Sequence, residues 1–107
     1  MAELTGAVML SPGLRDALSG WLHHIKALDG ASANTVAAYG RDVARYLGFL
    51  AAHHGDALGV AAIPATLHGD LRAWMAAERA RGVSARSLAR ELSAVKTFTA
   101  WVADRHG

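Results

Sequence analysis

Four stretches of this chain repeat apolar residues every three or four positions, and none alternates them every second position. That pattern restricts the fold to helices packed face to face. The first stretch follows Ser11-Pro12, an N-cap with proline at the first helical position. It carries Leu14, Leu18, Trp21, Leu22, Ile25 and Leu28, and Asp29-Gly30 closes it. Ser32 caps the second, whose stripe is Val36, Tyr39, Val43, Tyr46, Leu47 and Leu50, with Gly55 at its end. Residues 56–65 contain Gly59 and Pro64 and read as a connecting loop. Thr66 caps the third, with Leu67, Leu71, Trp74 and Met75 facing inward and Gly82 at C′. Ser84 caps the fourth, where Leu88, Leu92, Val95, Phe98, Thr99 and Val102 form the stripe. The expected fold is all-α: an orthogonal bundle of four helices, or five with a short extra turn. It should occupy residues 11–107 behind a flexible N-terminal tail over residues 1–10.

Composition removes whole classes of function. The 107 residues suit one domain, and 52% apolar content supplies a core and argues against disorder. With no cysteine, a disulfide framework, a thiolate zinc site and a cysteine nucleophile are excluded. No run of eighteen uncharged apolar residues is present, so no membrane association is expected. The first fourteen residues hold Glu3 and no basic residue, unlike a signal peptide. The expected location is the cytoplasm.

Charge is unevenly placed. Residues 1–30 and 31–78 each balance to −1, while Arg79, Arg81, Arg86, Arg90, Lys96 and Arg105 against Glu91 and Asp104 give residues 79–107 a net +4. At 100° per residue, Asn34, Arg41 and Arg45 share a face of the second helix, with Thr35 and Asp42 at its edge. Arg86, Ser87, Arg90, Ser93 and Thr97 share one on the fourth. Arginine among small hydroxyl and amide side chains is what a helix in a DNA groove needs for phosphates and base edges. The first turn of the fourth helix adds N–H groups at Ala85, Arg86 and Ser87, a place for an anion. The plain alternative is a solvated face, although such faces usually mix in glutamate, and these two are poor in acid.

Other features read as structure. Tyr39, Tyr46, Trp21 and Trp74 lie on apolar stripes and Trp101 at the edge of one, so packing is expected of all five. The pairs His23-His24 and His53-His54 point about 100° apart along a helix and do not readily share one ion. No metal site is expected. Glycines are isolated, which excludes a phosphate-cradling loop, and no small-molecule ligand or cofactor is expected. Gly40 and Gly48 sit inside the second helix, where they weaken it unless a close approach of another helix or of DNA requires them.

Residues 32–43, Ser-Ala-Asn-Thr-Val-Ala-Ala-Tyr-Gly-Arg-Asp-Val, resemble the opening of the second helix in the N-terminal, core-binding SAM-like domain of tyrosine recombinases. The pattern is a Ser, an Asn-Thr pair, a Tyr four residues beyond the Thr, and an Arg-Asp pair. Residues 82–98, running from Gly-Val-Ser-Ala-Arg-Ser-Leu-Ala-Arg to Ala-Val-Lys-Thr-Phe, are similar to the fourth helix of that domain. Within the superfamily they most resemble the Xer family, its XerC branch slightly ahead of XerD. The resemblance covers about residues 14–106.

The resemblance implies one half of a clamp around double-stranded DNA at a recombination site, acting in site-specific recombination and chromosome-dimer resolution with partner recombinase protomers. It also implies that the tyrosine chemistry belongs to a catalytic domain absent from this chain, so the chain alone is not expected to be an enzyme. Carried over residue by residue, DNA contacts fall at Asn34, Thr35 and Arg41, and at Ser84, Arg86, Ser87, Arg90 and Lys96. Arg45 joins them from the helical wheel alone. Arg79 and Arg81 either meet phosphates or complement a helix dipole. Arg90, opposite Leu88 and Leu92, is expected to point into the groove, and Arg90→Ala to leave the melting temperature unchanged. A phage or transposon integrase domain, or a helical protein-interaction module, are the alternatives.

Overall fold

The computed structural model describes residues 10–28, 30–54, 59–60, 63 and 68–106. Four helices are present: α1 Pro12–Ala27, α2 Ala33–His54, α3 His68–Ala80 and α4 Ala85–His106. No strand occurs among the described residues. The fold is the expected all-α bundle.

Their boundaries follow from capping chemistry. Ser11 Oγ accepts the Leu14 N–H at 3.3 Å, Ser32 Oγ that of Thr35 at 3.1 Å, and Ser84 Oγ that of Ser87 at 3.1 Å. Each satisfies a first-turn donor that the helix leaves without an intrahelical partner. Gly82, at φ 92°, ends α3. Its N–H bonds the Arg79 carbonyl and the Val83 N–H bonds the Glu78 carbonyl, a Schellman closure. Thr66, Leu67, Asp29, Gly55 and the first nine residues of the expected tail over residues 1–10 lie outside the described residues.

α2 and α4 form the central pair, and α1 and α3 each pack on both. Trp21 of α1, fully buried, stacks on Tyr39 of α2 at 6.0 Å between centroids and meets the edge of Phe98 of α4 at 5.5 Å. Tyr46 of α2 meets Trp74 of α3 edge to face at 5.2 Å. Leu14, Ile25, Val43, Leu47, Leu50, Val95 and Val102 fill the space between these aromatic contacts.

Three expectations about the core change. Leu28 belongs to no apolar face: it is the C-cap of α1 and 73% exposed. Ile63, within the segment read as a loop, is fully buried, and its N–H bonds the Val60 carbonyl. Leu10, assigned to the tail, packs partly buried against the core. At Gly40 a Cβ would lie 3.2 Å from the end of the Leu22 side chain of α1.

Candidate nucleic-acid interface

Every residue read as a DNA contact sits on α2, on α4 or at the cap of α4. Asn34, Arg41, Arg45, Ser84, Arg86, Arg90 and Lys96 are exposed; Thr35 and Ser87 are half-buried. Capping occupies part of this set. Thr35 Oγ1 accepts a bond from the Ser32 hydroxyl at 3.0 Å, and Ser84 Oγ takes the Ser87 N–H. Of the three N–H groups read as open at the start of α4, that of Ser87 is therefore engaged.

Arg90 differs from its expectation. Its Nε and Nη2 donate to Asp42 Oδ2 and Oδ1 at 2.9 and 2.8 Å, a two-bond fork joining α4 to α2. The helical wheel puts Asp42 at the edge of a polar face, but it is only 3% exposed, because that edge of α2 faces α4. A buried carboxylate without its cation loses hydration with nothing in return. Arg90→Ala therefore destabilises the fold, by about 2 kcal/mol for charge-assisted bonds of this kind. The melting temperature of Arg90→Ala should fall, not stay unchanged as the helical wheel alone implies.

Beside this fork lies a second one. Glu78 of α3, 4% exposed, accepts Arg45 Nη2 of α2 at 2.9 Å on Oε2. It also accepts Arg81, from Nη2 at 2.9 Å on Oε1 and from Nε at 3.4 Å on Oε2. Glu91 of α4, 3% exposed, hydrogen-bonds the same carboxyl. Its Oε1 has no hydrogen-bond partner. Burial, the Glu78 hydrogen bond and the nearby Glu78 charge together push Glu91 up to about 7. Burial also pulls Glu78 upward, but the bonds from Arg81 and Arg45 outweigh it and bring Glu78 down to about 2. The proton between them therefore resides on Glu91, whose O–H donates to anionic Glu78. Pairing with Asp42 and Glu78 raises Arg90 and Arg81 further above their already basic values.

Arg45 of α2, Arg81 of the turn after α3 and Arg90 of α4 thus surround three buried carboxyls. Sequence reasoning missed the acids. The available signal was their register: Glu78 lies four residues after Trp74, and Glu91 falls between Leu88 and Val95 at stripe spacing. Acid at a stripe position demands a partner.

His53 and His54 are exposed and meet an acid across the α2–α3 junction. His54 Nε2 lies 3.1 Å and His53 Nε2 3.9 Å from the two oxygens of Asp70, so adjacent histidines share one carboxylate where α2 ends and α3 begins. Arg105 lies over the Trp101 ring at 4.9 Å.

An all-α bundle with arginine-bearing polar faces on α2 and α4 is the architecture the motif resemblance implied, and comparison identifies the class. Residues 18–106 match the family described as the phage integrase N-terminal SAM-like domain, and the chain belongs to that family. Among curated proteins it is 46% identical over 97 residues to the tyrosine recombinase XerC of Methylobacterium nodulans, covering 91% of this chain and 30% of that protein. The XerC proteins of Rhodospirillum centenum and Bradyrhizobium diazoefficiens are 38% and 36% identical over 90% and 81% of the chain. The chain spans under a third of the length of these relatives. No solved structure matches it. The Xer-type resemblance read from α2 and α4 agrees with these relatives.

Proposed function

We propose that this chain is the DNA-binding, core-binding domain of a Xer-type tyrosine recombinase, gripping a duplex through α2 and α4. The observation that carries the reading is the face shared by those helices. Arg41 and Arg45 of α2 lie one turn apart, as do Arg86 and Arg90 of α4, and the Arg90–Asp42 fork joins the two rows. Exposed guanidiniums on adjoining helices carry the charge and the hydrogen-bond donors that a phosphate backbone takes. Asn34, Thr35, Ser84, Ser87 and Lys96 extend the face with groups able to reach phosphates or base edges.

On this reading the domain binds and another part of a longer recombinase cuts. Tyr46 is buried in the core and Tyr39 is stacked on Trp21. Neither is placed to attack a phosphate. The duplex would be a recombination site, the partners would be other recombinase protomers, the process chromosome-dimer resolution and the location the cytoplasm. Among the described residues no helix is long and apolar enough to cross a membrane.

A gel-shift titration against a Xer-type site and a scrambled duplex of equal length tests the reading. Binding to both, tighter on the site, is expected. Binding to neither overturns it and favours a protein-interaction module.

A further inference from the structure

A guanidinium has two hydrogen-bonding edges and five N–H donors. Arg90 and Arg81 both spend the Nε/Nη2 edge on a buried carboxylate, which leaves three donors each, on Nη1 and the outer side of Nη2. The remaining edge is not enclosed, since the Arg90 and Arg81 side chains are 43% and 49% exposed. The carboxylates behind them, Asp42 of α2 and Glu78 of α3, are 4–5% exposed. An arginine on an ordinary solvated face is not built this way. It would have a flexible stem and no buried anchor.

We propose that Asp42 and Glu78 are positioning residues, which hold Arg90, and Arg45 with Arg81, as a fixed array with the outer guanidinium edges aimed at the DNA backbone. Neither acid touches DNA itself. The proposal rests on the DNA-binding reading above and deepens it by saying how the arginines are held. The physical benefit is preorganisation. A free arginine side chain loses rotamer freedom when a phosphate fixes it, and an arginine already forked onto a carboxylate has lost most of that on folding.

The proposal makes an unusual prediction about sign. Removing an acidic residue from a surface that binds a polyanion ordinarily strengthens binding by relieving repulsion. If Asp42 positions Arg90, removing its charge weakens binding.

Duplex affinity is measured by fluorescence anisotropy for the wild type, Asp42→Asn, Arg90→Lys and Asp70→Asn, well below each melting temperature. Asp70→Asn is the matched control: it removes one negative charge eight residues, about 12 Å, along α3 from Glu78. Asp42→Asn is expected to bind three- to ten-fold more weakly. Arg90→Lys keeps the charge but not the fork, and is expected to weaken binding similarly. Asp70→Asn is expected to bind equally or more tightly. Asp42→Asn binding at least as well as wild type while folded overturns the positioning role and leaves the DNA reading standing. A wild type that binds no duplex overturns both.

One further measurement needs no variant and so covers the case in which Asp42→Asn fails to fold. The Arg90 Nε–H resonance should be protected from exchange in the free protein, and the Arg90 guanidinium signals should shift on titration with duplex. An unprotected Nε–H, or signals unmoved by bound DNA, overturns the proposal.

Discussion

Glu91 occupies a position that a leucine could fill, and its carboxyl titrates accordingly. In the unfolded chain it releases its proton near the ordinary 4.5; in the fold, burial and Glu78 hold the proton up to about 7. The native state binds the extra proton between those values, so this contribution is fully present below 4.5 and is lost as pH rises through about 7. Glu78 runs the other way. Its folded value of about 2 stabilises the native state above 4.5, and that contribution fades as pH falls toward 2. The two effects place the stability maximum near 4.5 and predict a decline on the alkaline side, on the order of 1–3 kcal/mol. Glu91→Gln keeps a donor for Glu78 without a charge to ionise. Its melting temperature should stay flat between about pH 5 and pH 8 while that of the wild type falls; equal slopes would refute the assignment. The arginines and Asp42 were visible in the sequence, but not the bonds between them. A helical wheel orders side chains around one axis and cannot say that the edge carrying Asp42 is covered by a second helix.

Helices were far more legible than contacts, because their signals are local. Ser11, Ser32, Ser84 and Gly82 cap or close helices where the sequence puts them. Failures came where the cause is tertiary. Leu28 continues the α1 period yet falls past the last turn, where no helix covers it. Ile63 has no periodic neighbours at all, and only the packed bundle gives it a place to be buried. The glycines inside helices show the same division. Gly40 and Gly20 each forgo about 1 kcal/mol of helix propensity relative to alanine. At Gly40 the obstacle to a Cβ is the end of the flexible, half-buried Leu22 side chain at 3.2 Å. At Gly20 it is the rigid Trp101 ring at 3.1 Å, flanked by His24 and Arg105. Gly40→Ala should therefore raise the melting temperature, since Leu22 rotates away at little cost. Gly20→Ala should lower it, because the indole has to shift as a body. Thermal unfolding of the two variants checks the order, and Gly20→Ala proving the more stable would contradict it.

Over the whole molecule the charge map and the ion pairs give different pictures of the same surface. Six of the eleven cationic residues fall in residues 79–107, and by count alone that third would meet a polyanion with most of them. The fold moves acids into the same region. Asp42 of α2 and Glu78 of α3 sit beneath Arg45, Arg81 and Arg90, so three guanidiniums stand over two anions and Glu91, which is about half protonated at neutral pH. The cluster carries a net charge of about +1 or less. Arg105 is drawn onto Trp101, and Arg41, Arg86 and Lys96 remain as exposed cations of α2 and α4. On the proposed function, about four charges are then available to displace counterions, and the slope of log affinity against log salt should be about −3 to −4 at neutral pH. An interface engaging all the basic residues of the last third would give a slope beyond about −5. Anisotropy titrations between about 50 and 200 mM salt separate the two values, since the first predicts a loss of roughly 100-fold and the second of more than 1,000-fold. The steeper slope would mean that DNA breaks the Arg90–Asp42 and Arg81–Glu78 forks on binding. The shallower one is what a surface with its arginines held on buried carboxylates should give.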